Sequence, residues 1–142
     1  METVIKSERY KRIGQKLIEN LPEFEFIRDM DIRIAYVASD RIKKKGNGFV
    51  LGECVLVKPI YQAFIPYDFI IVIYEMNTIE LSINQLKLLI YHELRHIGVS
   101  DTTAEPEYKI TPHDVEDFRS ILEEFGLDWA EEGKKIPDIL RR

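Results

Sequence analysis

The chain has 142 residues, enough to bury one hydrophobic core, and its content of 45% hydrophobic and 32% charged residues is typical of a globular domain. Its net charge of −5 argues against a general affinity for nucleic acid or anionic membranes, and its single cysteine, Cys54, excludes an internal disulfide and a cysteine-based zinc ribbon. The longest apolar run, residues 69–74, is too short to cross a bilayer, and the charged N-terminus lacks the apolar segment of a signal peptide. We therefore expect a soluble cytoplasmic protein.

The first half of the chain predicts one helix and two strands. Apolar side chains recur at helical spacing in residues 3–20. Residues 31–38 alternate apolar and polar side chains, which is typical of a half-buried strand, and residues 49–57 predict a second strand with Gly52 as a possible bulge. Between these strands, residues 41–48 form a basic turn, RIKKKGNG, which we interpret as solvated surface.

The next segments predict a buried strand followed by a long helix. Residues 68–75 are apolar and β-branched, as expected of a strand that is covered on both faces. The helix over residues 81–98 should begin at a capping box formed by Ser82 and Gln85 and should end at Gly98.

A polar loop over residues 99–110 leads to a second helix. Thr111 is its predicted N-cap, Gly126 closes it, and Trp129 should pack the C-terminal tail onto the domain. The outline is a single α+β domain: an N-terminal helix, a small, mainly antiparallel sheet of about three strands, and two further helices. The predicted buried stripe of the second helix comprises Val115, Phe118, Leu122 and Phe125.

The long helix carries the motif H-E-x-x-H in the segment YHELRHIG. His92 and His96 fall one helical turn apart, beside the apolar face, as two ligands of one metal ion require. Glu93 falls inside the apolar face, where an unpaired buried carboxylate would be costly, whereas a base beside a metal ion and its water explains the position. Arg95 is predicted to face solvent. The pattern therefore predicts a metal centre.

The third histidine of the chain is the candidate third ligand. His113 follows His96 by 17 residues and falls just after the predicted N-cap, where the helix dipole would keep the imidazole neutral and able to bind a metal. Asp114 and Glu116 lie near the same helix start and remain alternative ligands. Three protein ligands leave the fourth position of a tetrahedral zinc open for water.

This donor set predicts peptide-bond hydrolysis. Zinc lowers the pKa of a water molecule and polarises a carbonyl, and Glu93 is placed to take the proton from that water and pass it to the leaving amine. Tyr108 and Arg95 are candidate donors to the oxyanion, although either residue could be purely structural. Asp117 is a candidate partner for His113. Residues 69–74 could bind an extended peptide if they formed a sheet edge, but their two-sided apolarity favours a central strand.

Three segments resemble the putative phage metallopeptidase domain family: YDFIIVIYE, LSINQLKLLIYHELRHIG and YKITPHDVEDFRSILEEFGLDW. The resemblance covers about residues 30–130 of the single domain 1–142. It implies a minimal zincin-like fold, an origin in phages or integrated elements, and distant similarity to SprT-like proteases, which act near DNA but commonly carry a cysteine zinc ribbon that this chain lacks. It also implies that His92, His96 and His113 bind zinc and that Glu93 is the catalytic acid/base.

The leading hypothesis is thus an intracellular zinc endopeptidase that acts on a peptide or protein substrate. One alternative is a non-catalytic, metal-stabilised protein-binding module, in which Asp114 or Glu116 closes the fourth metal position. Another is a metal-dependent ribonuclease built on three histidines. The motif spacing, Glu93 and the acidic net charge argue against the ribonuclease.

Overall fold

The computed structural model describes residues 1–100, 107–113, 118–126 and 128–141. Its regular elements confirm the predicted α+β class and alternate between short strands and helices along the chain. They are β1 Val4–Lys6, α1 Glu8–Asn20, α2 Glu25–Asp29, β2 Ile34–Ser39, β3 Lys44–Lys45, β4 Gly48–Phe49, β5 Gly52–Leu56, β6 Phe69–Tyr74, α3 Glu75–Thr78, α4 Ile83–Leu94, β7 Ile97–Ser100, β8 Glu107–Ile110 and α5 Arg119–Phe125, with short 3-10 turns at Pro22–Phe24, Pro59–Tyr61 and Ile139–Arg141.

The main sheet has four strands in the order β1-β2-β6-β5. The central strands β2 and β6 run parallel, with Ile34 opposite Phe69 and Ser39 opposite Tyr74, while β1 and β5 pair antiparallel at the two edges. Phe69, Ile71 and Ile73 are fully buried on one face of β6. Ile70 and Val72 on the other face are half-buried, so both faces are covered to some extent, which explains the unbroken apolar run in the sequence. The alternative in which residues 69–74 form an edge is therefore wrong, and β5 occupies that edge instead.

Helix α4 packs on the sheet together with α1. Its N-terminus is fixed by the predicted capping box: Ser82 Oγ accepts from the backbone N–H of Gln85 at 3.2 Å, and Gln85 Oε1 accepts from that of Ser82 at 2.9 Å. Leu17 of α1 and Leu94 of α4 are completely buried. Burial of each such side chain stabilises the fold by roughly 1.5–3 kcal/mol. This core holds the inner face of α4 rigidly beside β5.

The long helix is shorter than predicted. It ends at Leu94, with Arg95 as its C-cap, and Gly98 lies in strand β7 rather than at a helix terminus. The predicted polar loop contains an antiparallel pair, β7 with β8, in which Gly98 is opposite Lys109. Pairing between distant residues overrides the local helical pattern after Leu94, and it turns the chain back toward α4.

The start of the second helix was also predicted wrongly. Residues 111–113 are not helical, and α5 begins at Arg119, so Thr111 is not its N-cap and His113 does not lie on the helix. The predicted position of His113 at a helix start, and with it the predicted effect of the helix dipole on its imidazole, is therefore wrong. Gly126, with φ of 87°, ends α5 as predicted, and Phe118, Phe125 and Trp129 are buried. Val115 and the side chain of Leu122 lie outside the described residues.

In the described part of the chain, the helices are all too short or too polar to cross a membrane.

Candidate metal centre

The fold brings the three histidines of the chain together. His92 lies in the last turn of α4, His96 lies in the turn just after that helix, and His113 follows β8, which the β7–β8 pair directs back toward α4. Each ring offers one nitrogen as a ligand atom, and these three nitrogens all lie within 4.8 Å of one another. The Nε2 atoms of His92 and His113 are 2.9 Å apart. This spacing is small enough for one ion to bind all three imidazoles.

The backbone fixes the orientation of His96. Its Nδ1 lies 2.7 Å from the carbonyl oxygen of Thr111. A carbonyl oxygen only accepts, so the proton must be on Nδ1, which leaves the Nε2 lone pair available to a metal. The backbone N–H of Thr111 donates in turn to the carbonyl of His96 at 2.6 Å. These two hydrogen bonds connect the end of α4 to the segment that carries His113.

Two aromatic side chains form an apolar wall behind the histidines. The ring of Phe118 lies 5.1–5.3 Å, centroid to centroid, from the rings of all three histidines, and Trp129 lies 6.1 Å from His92. Both aromatic residues are buried. A dry wall lowers the local dielectric and strengthens any interaction between a metal and its ligands. The apolar character of both residues predicted their burial but gave no sign of contact with the histidines.

Glu93 lies beside this group and is 3% exposed, as its place in the apolar face predicted. Its Oε1 is 3.9 Å from His96 Nε2. On the opposite side it meets β5, where a β-carbon added to Gly52 would come within 3.4 Å of Glu93 Cγ. Glu93 thus lies between the clustered histidine rings and the edge strand.

These residues line an open cleft of about 900 Å³ between α4 and β5. Its walls are mainly apolar, with basic side chains along one rim. Its lining includes Lys43, Lys44, Lys45, Leu89, Ile110 and Trp129.

The edge strand presents its backbone to the cleft side. Val57 N–H donates to Asp68 C=O and Tyr74 N–H donates to Leu51 C=O, each at 3.0 Å. Because residues along an antiparallel strand alternate in the direction of their backbone groups, those of Gly52, Cys54 and Leu56 point away from β6. In the described chain, no strand pairs with this outer edge. An open edge of this kind is the type of surface to which extended peptides add in other proteins.

Cys54 does not have the properties of a nucleophile. Burial, and then the nearby Glu93 carboxylate, raise the pKa of its thiol far above the ordinary value. The thiol therefore stays protonated at neutral pH.

The two candidate oxyanion donors lie elsewhere. Tyr108 packs on Phe69, with ring centroids 5.8 Å apart, and does not line the cleft. Arg95 is half-buried rather than directed at solvent: it donates to Tyr91 Oη at 2.9 Å and its guanidinium lies 5.0 Å from the ring of Phe118. Arg95, like Tyr108, is not among the residues that line the cleft. The remaining candidates, Asp114, Glu116 and Asp117, lie outside the described residues.

Comparison with known proteins gives one positive result. A search of curated proteins and a search of solved structures returned no match. A family model described as "Putative phage metallopeptidase" matches residues 2–137, which is nearly the whole chain. The chain therefore belongs to the putative phage metallopeptidase family.

Proposed function

We propose that this protein is a zinc-dependent endopeptidase that hydrolyses peptide bonds in a peptide or protein substrate. His92, His96 and His113 are the proposed zinc ligands, and Glu93 is the proposed general base and acid. The observation that carries the proposal is the position of one buried carboxylate between three clustered imidazoles and an open sheet edge.

The donor set fits zinc better than the hard cations. Imidazole nitrogens are borderline-soft donors that suit zinc and related transition metals, whereas magnesium and calcium prefer oxygen. The hydrogen bond from His96 Nδ1 to Thr111 O is the kind of outer contact that orients a zinc-bound histidine. Phe118 and Trp129 keep bulk water from the back of the site.

When bound, a zinc ion supplies Lewis acidity, which polarises a carbonyl and makes a water molecule easier to deprotonate. Glu93 then performs the proton transfers: a carboxylate oxygen accepts a proton from the attacking water and returns it to the nitrogen of the leaving amine. Gly52 leaves room for this side chain at the floor of the cleft.

The substrate would bind as an added strand along β5. The outward backbone groups of Gly52, Cys54 and Leu56 can pair with an extended peptide, and the scissile bond would then lie over Glu93. The family name indicates a phage origin, and phages replicate inside bacteria, so we place this activity in the host cytoplasm.

The test is cleavage of a proteome-derived peptide library by zinc-loaded protein. Glu93→Gln should retain zinc and lose cleavage by about a thousandfold, because it loses only the group that moves the proton. Glu19→Gln, a matched change on the exposed face of α1, should cleave as the wild type does. A zinc-loaded wild type that cleaves nothing, or a Glu93→Gln variant as active as wild type, would contradict the proposal; the former would favour a metal-stabilised binding module.

A further inference from the structure

A basic hairpin forms one rim of the cleft. It consists of residues 43–49, with β3 paired antiparallel to β4. Its base is fixed by Asn77, whose Nδ2 donates to the carbonyls of Lys43 at 3.0 Å and Val50 at 2.8 Å. The N–H of Val50 also donates to Lys43 O at 3.0 Å. The hairpin is therefore held in a defined place beside the site.

The first lysine of the hairpin is neutralised within the protein. Lys43 forms an ion pair with Glu53, whose other oxygen accepts from Tyr74 Oη at 2.8 Å. Burial alone raises the pKa of Glu53, but the hydrogen bonds from Lys43 and Tyr74 outweigh it and hold the pKa below its ordinary value. Glu53 thus stays ionised and balances Lys43.

The other two lysines keep their charge available. The ammonium of Lys44 lies 5.4 Å from the ring of Phe49, which is itself exposed, and Lys45 is exposed. No carboxylate among the described residues forms an ion pair with either lysine. Two positive charges therefore stand at the cleft mouth of a chain whose net charge is −5. A cleft of opposite sign to the rest of the surface attracts and orients anionic partners.

The hairpin also lies at one end of the proposed peptide-binding edge. It precedes β5 directly in the chain and so meets the end of that strand at Gly52, next to Glu93. A peptide paired with β5 would pass the lysines on only one side of its scissile bond. The rest of the cleft offers apolar contacts from Leu89, Ile110 and Trp129.

We propose that Lys44 and Lys45 make the site selective for peptide segments that carry aspartate or glutamate a few residues to one side of the scissile bond. This inference rests on the proposed binding of a peptide along β5. The acidic side chains would pair with the lysines at the rim while the neighbouring residues fill the apolar part of the cleft. Charged rim contacts of this kind govern selectivity and association rate more than total affinity.

The experiment measures binding to the zinc-loaded Glu93→Gln protein, so that it does not depend on catalysis. Fluorescent peptides share one apolar core and carry two glutamates on its N-terminal side, two on its C-terminal side, or lysines at the same positions. Anisotropy titrations compare this protein with one that also carries Lys44→Glu and Lys45→Glu. The matched control carries Lys11→Glu and Lys16→Glu instead, which make the same charge change on the exposed face of α1, away from the cleft.

One of the two glutamate peptides should bind about tenfold more tightly than its lysine counterpart at low salt, as expected for two surface ion pairs. The Lys44/Lys45 variant should lose this preference, and the Lys11/Lys16 control should keep it. Equal binding of acidic and basic peptides, a preference that survives the Lys44/Lys45 change, or no peptide binding would overturn the inference. So would a single-stranded oligonucleotide that displaces the peptide and binds more tightly through the same lysines. Acid-selective binding by a wild type that cleaves nothing would overturn the peptidase proposal alone.

Discussion

Gly52 on the edge strand lies in direct contact with Glu93 on α4. A β-carbon at Gly52 would come within 3.4 Å of Glu93 Cγ and within 3.0 Å of the carbonyl oxygen of Val72. The second neighbour is backbone and cannot yield easily. A β-carbon would meet Glu93 Cγ at an ordinary van der Waals distance, so the close approach of Val72 O is what favours glycine here, and a side chain larger than alanine would also press on Glu93.

Replacement of Gly52 by valine should displace Glu93 or β5. We expect kcat to fall at least tenfold, because small displacements of a catalytic group are costly, and stability to fall by about 1–3 kcal/mol. Steady-state kinetics and chemical denaturation measure the two effects. Gly48→Ala is the control: a β-carbon there meets only Lys45 O, at 3.8 Å, so both quantities should stay near wild type. Full activity of Gly52→Val would refute the proposed role of this contact.

A second glycine, Gly98, affects the candidate metal centre through Thr111. A β-carbon at Gly98 in β7 would collide with Thr111 Oγ1, and Thr111 supplies the carbonyl that orients His96. Gly98→Ala should therefore weaken zinc affinity by about tenfold, in the range seen when outer contacts of metal ligands are lost. Competition with a chromophoric chelator measures the affinity.

A double variant tests this explanation. Thr111→Ala removes the colliding hydroxyl but keeps the carbonyl, so Gly98→Ala combined with Thr111→Ala should recover most of the lost affinity. Thr111→Ala alone should bind zinc nearly as the wild type does. Additive losses in the double variant would mean that the collision is not the cause.

The sequence was sufficient to predict the features that depend on local spacing. The capping box of α4, the burial of Glu93 and the pairing of His92 with His96 all follow from helical periodicity. The end of α4 and the β7–β8 pair were missed because cross-strand hydrogen bonds between distant residues decide them. For the same reason, the strand order was needed to identify β5 rather than β6 as the edge strand proposed to bind a peptide.

His113 lies close to the other two histidines, but it reaches them by a route that the sequence did not predict. The sequence placed it on a helix whose dipole would keep it neutral, but the residues up to His113 are not helical. It reaches the other histidines because β8 returns toward α4. Spacing alone could not reveal this route, since many loop conformations span the same 17 residues from His96.

Gln85 should be important for the stability of the cleft wall. Its Nε2 donates to the carbonyls of Trp129 at 3.0 Å and Glu131 at 2.7 Å, while its Oε1 completes the capping box of α4. Gln85→Leu would remove the donor to the buried carbonyl of Trp129 and to the partly buried carbonyl of Glu131, and should reduce the free energy of unfolding by about 2–3 kcal/mol. Urea denaturation compares it with Gln15→Leu, at an exposed position of α1. Equal stability of the two variants would contradict the assigned role.

Removal of the Tyr36 hydroxyl, unlike replacement of Gln85, should not reduce the stability of the protein. Its ring is buried against Gly14, and its hydroxyl has no hydrogen-bond partner among the described residues. Burial raises the pKa of this hydroxyl well above its ordinary value, so it stays neutral. Tyr36→Phe removes an unsatisfied polar atom without changing the packing, and we expect stability to be unchanged or higher by up to about 1 kcal/mol. A loss above that amount, measured by thermal denaturation, would show that the hydroxyl has a partner.

The most direct test of the account is the zinc content of the purified protein, measured by elemental analysis after reconstitution and dialysis against a weak chelator. The wild type should retain about one zinc per chain. His113→Ala should retain much less, and Lys109→Ala, an exposed change on β8, should retain as much as the wild type. No zinc in the wild type, or equal zinc in His113→Ala, would contradict the three-histidine metal centre on which the proposed peptidase depends.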